Sequence, residues 1–193
     1  MLNHLKSLLP PVWWWHFYAD EFYRDQWQHQ IFPQHYWLLR IISQLKPKNI
    51  LEAGCGFGRN LKFLIEQGIA PRRLTGIDFS SHLLRHINLP GVKLQRASAQ
   101  KLPFPANQFD LVFTHGLLMH LPPSQIHLAL SELVRVTHHY LVVIEETRKK
   151  PGRINHFTWA HDYPKLIAAF NLKILDYQYH GKHNLVWYLL QKT

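Results

Sequence analysis

The chain has 193 residues, 47% of them hydrophobic, and a single cysteine; this suits one folded domain rather than a disordered chain, and a lone thiol leaves no disulfide framework and no cysteine-based zinc site. Twenty-two Lys and Arg against twelve Asp and Glu give a net charge of +10 with histidine neutral, a balance compatible with nucleic acid, anionic lipid or acidic small molecules that names none of them. No apolar run reaches the roughly 18 residues that cross a bilayer, and the start, MLNHLKSLLPPVWWWHFY, breaks at Pro10 and Pro11 without a small-residue cleavage site, so a cytoplasmic protein is expected.

In chain order, residues 13–36 carry the aromatics Trp13, Trp14, Trp15, Phe17, Tyr18, Phe22, Tyr23, Trp27, Phe32 and Tyr36, and HYWLLRIISQL then continues as an amphipathic helix to Lys46 and Pro47. Residues 1–47 are read as a helical cap. Short apolar runs at Asn49 to Ala53, Leu74 to Asp78, Val92 to Arg96, Asp110 to Thr114 and Tyr140 to Glu145 alternate with helical stretches, the pattern of a parallel sheet with crossover helices. RNLKFLIEQG spaces Leu61, Leu64 and Ile65 at helical intervals and stops at Gly68. Ser80 or Ser81 caps a short helix after the second strand, and Ser124 caps one carrying Ile126, Leu130, Leu133 and Val134. A last helix after Tyr163 and Pro164 leads into LKILDYQY and NLVWYLL, which the spacer HGKH marks as an antiparallel pair. The fold class is α/β: a Rossmann-like doubly wound sheet, mostly parallel with an antiparallel last strand. With no linker or repeat to divide it, the chain is expected as one domain over 1–193, the core being 48–193.

ILEAGCGFGRN, Ile50 to Asn60, is the densest signal. Three alternating glycines between a strand and a helix belong where backbone must turn sharply or approach a ligand, at the carboxyl ends of the strands. The dinucleotide pattern G-x-G-x-x-G is broken at its third glycine by Arg59, which disfavours NAD, and no Lys-Ser/Thr follows to hold a triphosphate. Asp78, ending the second strand near the expected separation of about 20 residues from such a loop, is placed to accept hydrogen bonds from both hydroxyls of a ribose.

With E-x-G-x-G-x-G in Glu52 to Gly58, LTGIDFS, and RASAQKLPFPANQFDLVFTHGLLMHLPP, the chain resembles class I S-adenosylmethionine-dependent methyltransferases of the small seven-stranded kind over roughly Asn49 to Glu146. The resemblance implies S-adenosyl-L-methionine as cofactor. It places Gly54 and Gly56 in close approach, with Cys55 and Asn60 beside them, Glu52 facing the ammonium end, and Asp78 on the ribose followed by Phe79. It puts Ser98, Ala99 and Gln100 on the adenine side, and Thr114, His115 and Gly116 near the sulfonium with His120 one turn on. GCGFGRN, VFTHGLLMHL and FTWAHDY also look distantly like methylases associated with pseudaminic acid biosynthesis. Tyr23 and Arg24, in EFYRDQW, are candidates for the cofactor's carboxylate end.

In such enzymes positioning dominates, because a sulfonium is already a good leaving group; a base is needed only for a hydroxyl or a protonated amine, and His115 and His120 are the candidates. No metal is expected: His115 and His120, like His156 and His161, lack the four-residue spacing that sets two ligands on one helical face. The base-methylating Asp/Asn/Ser-Pro-Pro-aromatic motif is replaced by Thr114-His115-Gly116, and the basic residues, densest at Arg148, Lys149, Lys150 and Arg153, form no nucleic-acid module. A small-molecule acceptor methylated on O or N is therefore the reading, with the aromatic cap shaping its pocket. Three alternatives stand beside it: a membrane-surface enzyme seated through Trp13, Trp14 and Trp15 and acting on a lipid or quinone-like acceptor, a non-catalytic S-adenosylmethionine-binding partner subunit, and RNA methylation suggested by charge alone.

Overall fold

A computed structural model of the protein describes residues 11–181 and 183–193, without the side chains of residues 11–14, 16–18 and 27. Helix α1 (Pro11–Arg24), a 3-10 turn (Gln26–His29) and helix α2 (Pro33–Leu45) precede the sheet. Helix α2 ends at Lys46, which turns left-handed at φ 49° just ahead of Pro47 and so stops the helix.

The sheet has seven strands in the order β3-β2-β1-β4-β5-β9-β8. They are β1 (Ile50–Ala53), β2 (Leu74–Asp78), β3 (Lys93–Arg96), β4 (Phe109–His115), β5 (Thr137–Glu146), β8 (Leu172–His180) and β9 (Leu185–Lys192). Strands β1 to β5 pair parallel, and β9 runs antiparallel between β5 and β8. The doubly wound architecture and reversed last strand expected from the sequence are thus present. Helices α3 (Arg59–Glu66), α4 (Ser81–Leu84), α5 (Pro123–Val136) and α6 (Tyr163–Ala168) make the connections.

Why the strands sit where they do follows from burial. All four residues of β1 and all five of β2 are buried, as expected of parallel strands covered on both faces. Neighbours then divide between two cores. Leu51 and Ala53 pack with Ile126, Leu130 and Leu133 of α5, while Ile50 packs with Leu38 and Ile42 of α2 and Leu61 and Leu64 of α3. Gly76 lets helix and strand touch: a Cβ there would lie 2.7 Å from Leu61 Cδ1 and 3.0 Å from Cys55 Sγ. Cys55, buried and free, is accordingly a small packing residue, its thiol pushed well up by burial and by the Glu52 and Asp78 carboxylates.

Helix α3 ends as read, with Gly68 at φ 90° donating to Ile65 O and Ile69 N donating to Leu64 O. Ser80 caps α4 by accepting from Leu83 N at 3.3 Å. Ser124 does not cap α5: the helix opens on Pro123 with Pro122 at the cap position, so Ser124 falls in the first turn. Strand β5 begins at Thr137, earlier than the apolar run suggested, because a register shift opposite Phe109 and Leu111 takes up the extra polar residues His138 and His139. A two-stranded ribbon, β6 (Gly152–Arg153) with β7 (Trp159–Ala160), lies between β5 and α6 and has no counterpart in the expected pattern. Among the described residues no helix is long and apolar enough to cross a membrane.

Candidate active site

The strand order reverses beside β1: the chain moves outward through β2 and β3, then returns to place β4 on the other side. At such a switch point the loops leave the carboxyl ends of neighbouring strands in opposite directions and a cleft opens. Here the cleft measures about 1620 Å³, larger than the about 300–1,000 Å³ of a single-ligand pocket.

One half is built on the glycine loop. Gly54 and Cys55 donate to Ile77 O at 2.8 and 2.9 Å, drawing the loop against β2. Gly56 has φ 55° and open space where a Cβ would point, while a Cβ on Gly54 would strike Leu117 at 2.8 Å. Asp78 is buried and holds two backbone amides, Gly56 N at 2.9 Å and Ser80 N at 2.8 Å. Burial raises its carboxyl above the ordinary value, and those hydrogen bonds partly oppose the rise. The Phe79 backbone also acts on this carboxylate, and part of its acceptor capacity remains for a ligand. Ser98, Ala99 and Gln100 form a tight turn beyond β3, with Gln100 N donating to Ser98 Oγ, and they line the cleft with Phe79.

Beneath the loop Glu52 is wholly buried. Its Oε1 accepts from Asn60 Nδ2 at 2.5 Å, whereas Oε2 has no partner. Desolvation pushes this carboxyl up to about 8, against the pull of Asn60 and the Arg59 guanidinium. Asn60 Oδ1 in turn accepts from His115 Nδ1 at 3.1 Å, which leaves the lone pair of His115 on Nε2. Burial, then the nearby Arg59 and His35, hold His115 well below the usual histidine range. His35 of α2 stands edge-on to it, ring centres 5.1 Å apart, and burial lowers it to about 4.

The other half is aromatic. His120 Nδ1 donates to Phe157 O at 2.8 Å, so its Nε2 also carries a lone pair, and burial lowers the ring to about 4. Trp15 of α1 meets His120 edge-on at 5.0 Å and Phe22 at 5.0 Å, and Phe22 lies 5.8 Å from Phe57 of the glycine loop. Glu145, wholly buried at the end of β5, accepts Leu117 N and Met119 N, each at 3.1 Å, and so fixes the turn that carries both Leu117 and His120. Desolvation raises its carboxyl to about 7, with Thr114 and those backbone groups opposing.

Of the residues singled out from sequence, Glu52, Gly54, Cys55, Gly56, Asn60, Asp78 and Phe79 line one cleft together with Ser98, Ala99, Gln100, His115, His120 and Arg24. Two do not. Thr114 is fully buried beneath the floor, against Glu145, because strand alternation points it inward where His115 points out. Tyr23 spends its ring on His86, stacked at 3.9 Å, and on the edge of Phe57. Trp15, part of the expected cap and one of the three tryptophans of the membrane-surface alternative, lines the cleft; the side chains of Trp13 and Trp14 lie outside the described residues. Arg59, His35, Glu145 and Phe157 were not anticipated. Arg59 was visible as the residue replacing a third glycine, and Glu145 as the acidic end of a strand; His35 and Phe157 carry no local signal.

The profile of a family described as a methyltransferase domain matches residues 50–139. A fatty-acid O-methyltransferase of Mycolicibacterium smegmatis is 33% identical over 98 residues, 49% of this chain and 35% of that protein. A demethylmenaquinone methyltransferase of Listeria welshimeri is 30% identical over 106 residues, 51% of this chain and 44% of that protein. The chain therefore spans less than half the length of these relatives. In three dimensions it superposes on 1,6-didemethyltoxoflavin-N1-methyltransferase of Burkholderia thailandensis, solved with 1,6-didemethyltoxoflavin and S-adenosylhomocysteine, with a TM-score of 0.69, 19% identity and coverage of 96% and 92% of the two chains. Strand β1, the glycine loop, Asp78 and the turn to His120 all lie inside the matched segment: residues 50–139 are similar to a methyltransferase domain, and the superposition shows a shared Rossmann-like fold.

Proposed function

We propose that the protein transfers a methyl group from S-adenosylmethionine to an oxygen or nitrogen of a small-molecule acceptor held in the aromatic half of the cleft. The observation that carries this reading is the pair of buried carboxylates under one glycine loop, Glu52 with an unpartnered Oε2 and Asp78 with lone pairs to spare. A cationic, ribose-bearing molecule satisfies both. The open space over Gly56 suits its close approach.

Glu52 would face the ammonium group, Arg24 at the mouth its carboxylate, Asp78 the ribose, and Ser98 to Gln100 the adenine. When bound, the cofactor supplies an electrophilic methyl on sulfur. His115, tied through Asn60 to Glu52, is a positioning residue on the cofactor side. His120 holds a neutral imidazole with its lone pair on Nε2, suited to take a proton from an acceptor hydroxyl or amine. Trp15, Phe22 and Phe157 exclude water around it. That wall supports a flat, largely apolar acceptor.

We read residues 1–47 as a cap on a single domain over 1–193, working in the cytoplasm, with α1 as the roof of the acceptor half. Trp15, turned inward, favours this over membrane anchoring, and a catalytically placed His120 favours an enzyme over a non-catalytic binding subunit. Calorimetry with S-adenosylhomocysteine tests the core of the proposal. The wild type binds one equivalent, and Asp78→Ala weakens binding by about 1.5–3 kcal/mol, the worth of hydrogen bonds to a charged group. A wild type that takes up none overturns it, and labelled cofactor with a panel of phenolic, heteroaromatic and fatty acceptors then tests transfer.

A further inference from the structure

At the opposite ends of the same strands, three metal-ligating side chains converge. Strand β4 pairs Phe109 with Thr137 and then Leu111 with Tyr140, so Asp110 alone faces both His138 and His139. In a regular strand two consecutive side chains point to opposite faces; the bulge overrides this. The two imidazoles stack with centres 3.7 Å apart, and His138 Nδ1 lies 3.7 Å from Asp110 Oδ1. One donor atom from each of the three residues falls within 4.8 Å of the others. Asp110 is already oriented: its Oδ2 accepts Lys48 N at 2.6 Å and Asn49 N at 3.1 Å, which leaves Oδ1 for another partner.

We propose that Asp110, His138 and His139 form a binding site for a divalent transition-metal ion, with Zn2+ as its representative. Two imidazole nitrogens and one carboxylate oxygen match the ligand preferences of zinc and its neighbours rather than those of magnesium or calcium, which take all-oxygen shells. Zinc bonds of about 2.0–2.2 Å set neighbouring donors roughly 3.3–3.5 Å apart, so the donors must close in by on the order of 1 Å. Both histidines are exposed and free to rotate by that much, and water completes the shell. The expectation of no metal weighed only histidine pairs five residues apart; adjacent histidines are brought together by a bulge that sequence spacing does not reveal. The site lies about five residues along β4 from His115, roughly 16 Å from the cleft, so the ion is structural. It joins the starts of β4 and β5 to the segment entering β1.

The test uses untagged, chelator-treated protein titrated with Zn2+ and, for a visible absorption band, with Co2+. Because the chain contains 15 histidines, the decisive comparison is the double variant His138→Gln/His139→Gln, whose side chains are exposed and whose melting in the absence of metal checks that it folds. The wild type binds one equivalent, develops the Co2+ band and melts at a higher temperature with Zn2+; the variant loses at least about tenfold in affinity, together with the band and the thermal shift. A smaller loss, or no uptake by the wild type at about 100 μM Zn2+, overturns the proposal.

Discussion

Glu52 and Asp78 end or nearly end adjacent strands, and burial shifts both in the same direction, yet they differ in how far each is satisfied. Asp78 already holds two amides, whereas Glu52 keeps one oxygen bare. With its folded value near 8 against an ordinary 4.5, Glu52 retains a proton in the ligand-free fold that an unfolded chain has already released. It therefore contributes stability below about pH 4.5 that is lost as pH rises toward 8. A bound ammonium favours the ionised form. Affinity for S-adenosylhomocysteine should accordingly strengthen up to tenfold per pH unit as pH is raised from about 6 to 8, and Glu52→Gln should flatten that slope; calorimetry across the range decides it, and an equal slope in the variant assigns the proton elsewhere. The two histidines separate by a different measurement. His120→Gln is expected to lower kcat by about 10²- to 10⁴-fold while cofactor affinity stays unchanged, whereas His115→Gln should alter affinity as well, because it breaks the link to Asn60 and Glu52. Unchanged kcat in His120→Gln would show that the acceptor gives up its proton without this ring. The residue types at the glycine loop and at Asp78 were legible in the sequence because their spacing is dictated by one local strand-turn-helix unit. His35, arriving from α2, and Phe157, arriving from the segment beyond β5, were not, since only long-range packing brings them near.

At the level of elements, the turn between β4 and α5 links the two halves of the cleft. Leu117 covers Gly54 on one side and His120 faces Trp15 on the other, while Glu145 accepts two backbone N–H groups from within that turn. Glu145→Gln presents an amide to one of those donors and leaves it buried without an acceptor, a loss of about 1–3 kcal/mol. A lower Tm is expected with kcat and cofactor affinity both reduced, whereas a purely structural role would lower Tm alone. The strands were legible because β1, β2, β4 and β5 are apolar on both faces. Two elements were obscure for physical reasons. Pro122 and Pro123 start α5 without any side-chain cap, and the bulge in β5 hides polar residues inside a strand whose apolar run begins only at Tyr140.

Across the whole molecule, the last strand is secured far from the cleft. Lys192 Nζ donates to Val134 O, Thr137 O and Asn107 Oδ1, joining β9 to the carbonyl end of α5, where a cation is favoured. The roof is secured differently, through the short helix α4. Asp78 fixes Ser80 N, Ser80 Oγ caps α4, and just beyond α4 His86 stacks on Tyr23 and bonds Asp20 of α1. This succession runs from the Asp78 end of the cleft to the helix above its aromatic half. On the proposed function, a ligand on Asp78 braces the aromatic half before anything enters it, which predicts an order of addition: cofactor ahead of acceptor, and demethylated cofactor leaving last. Initial-rate studies should then find S-adenosylhomocysteine competing with the methyl donor but not with the acceptor, and random addition would mean that roof and floor do not communicate.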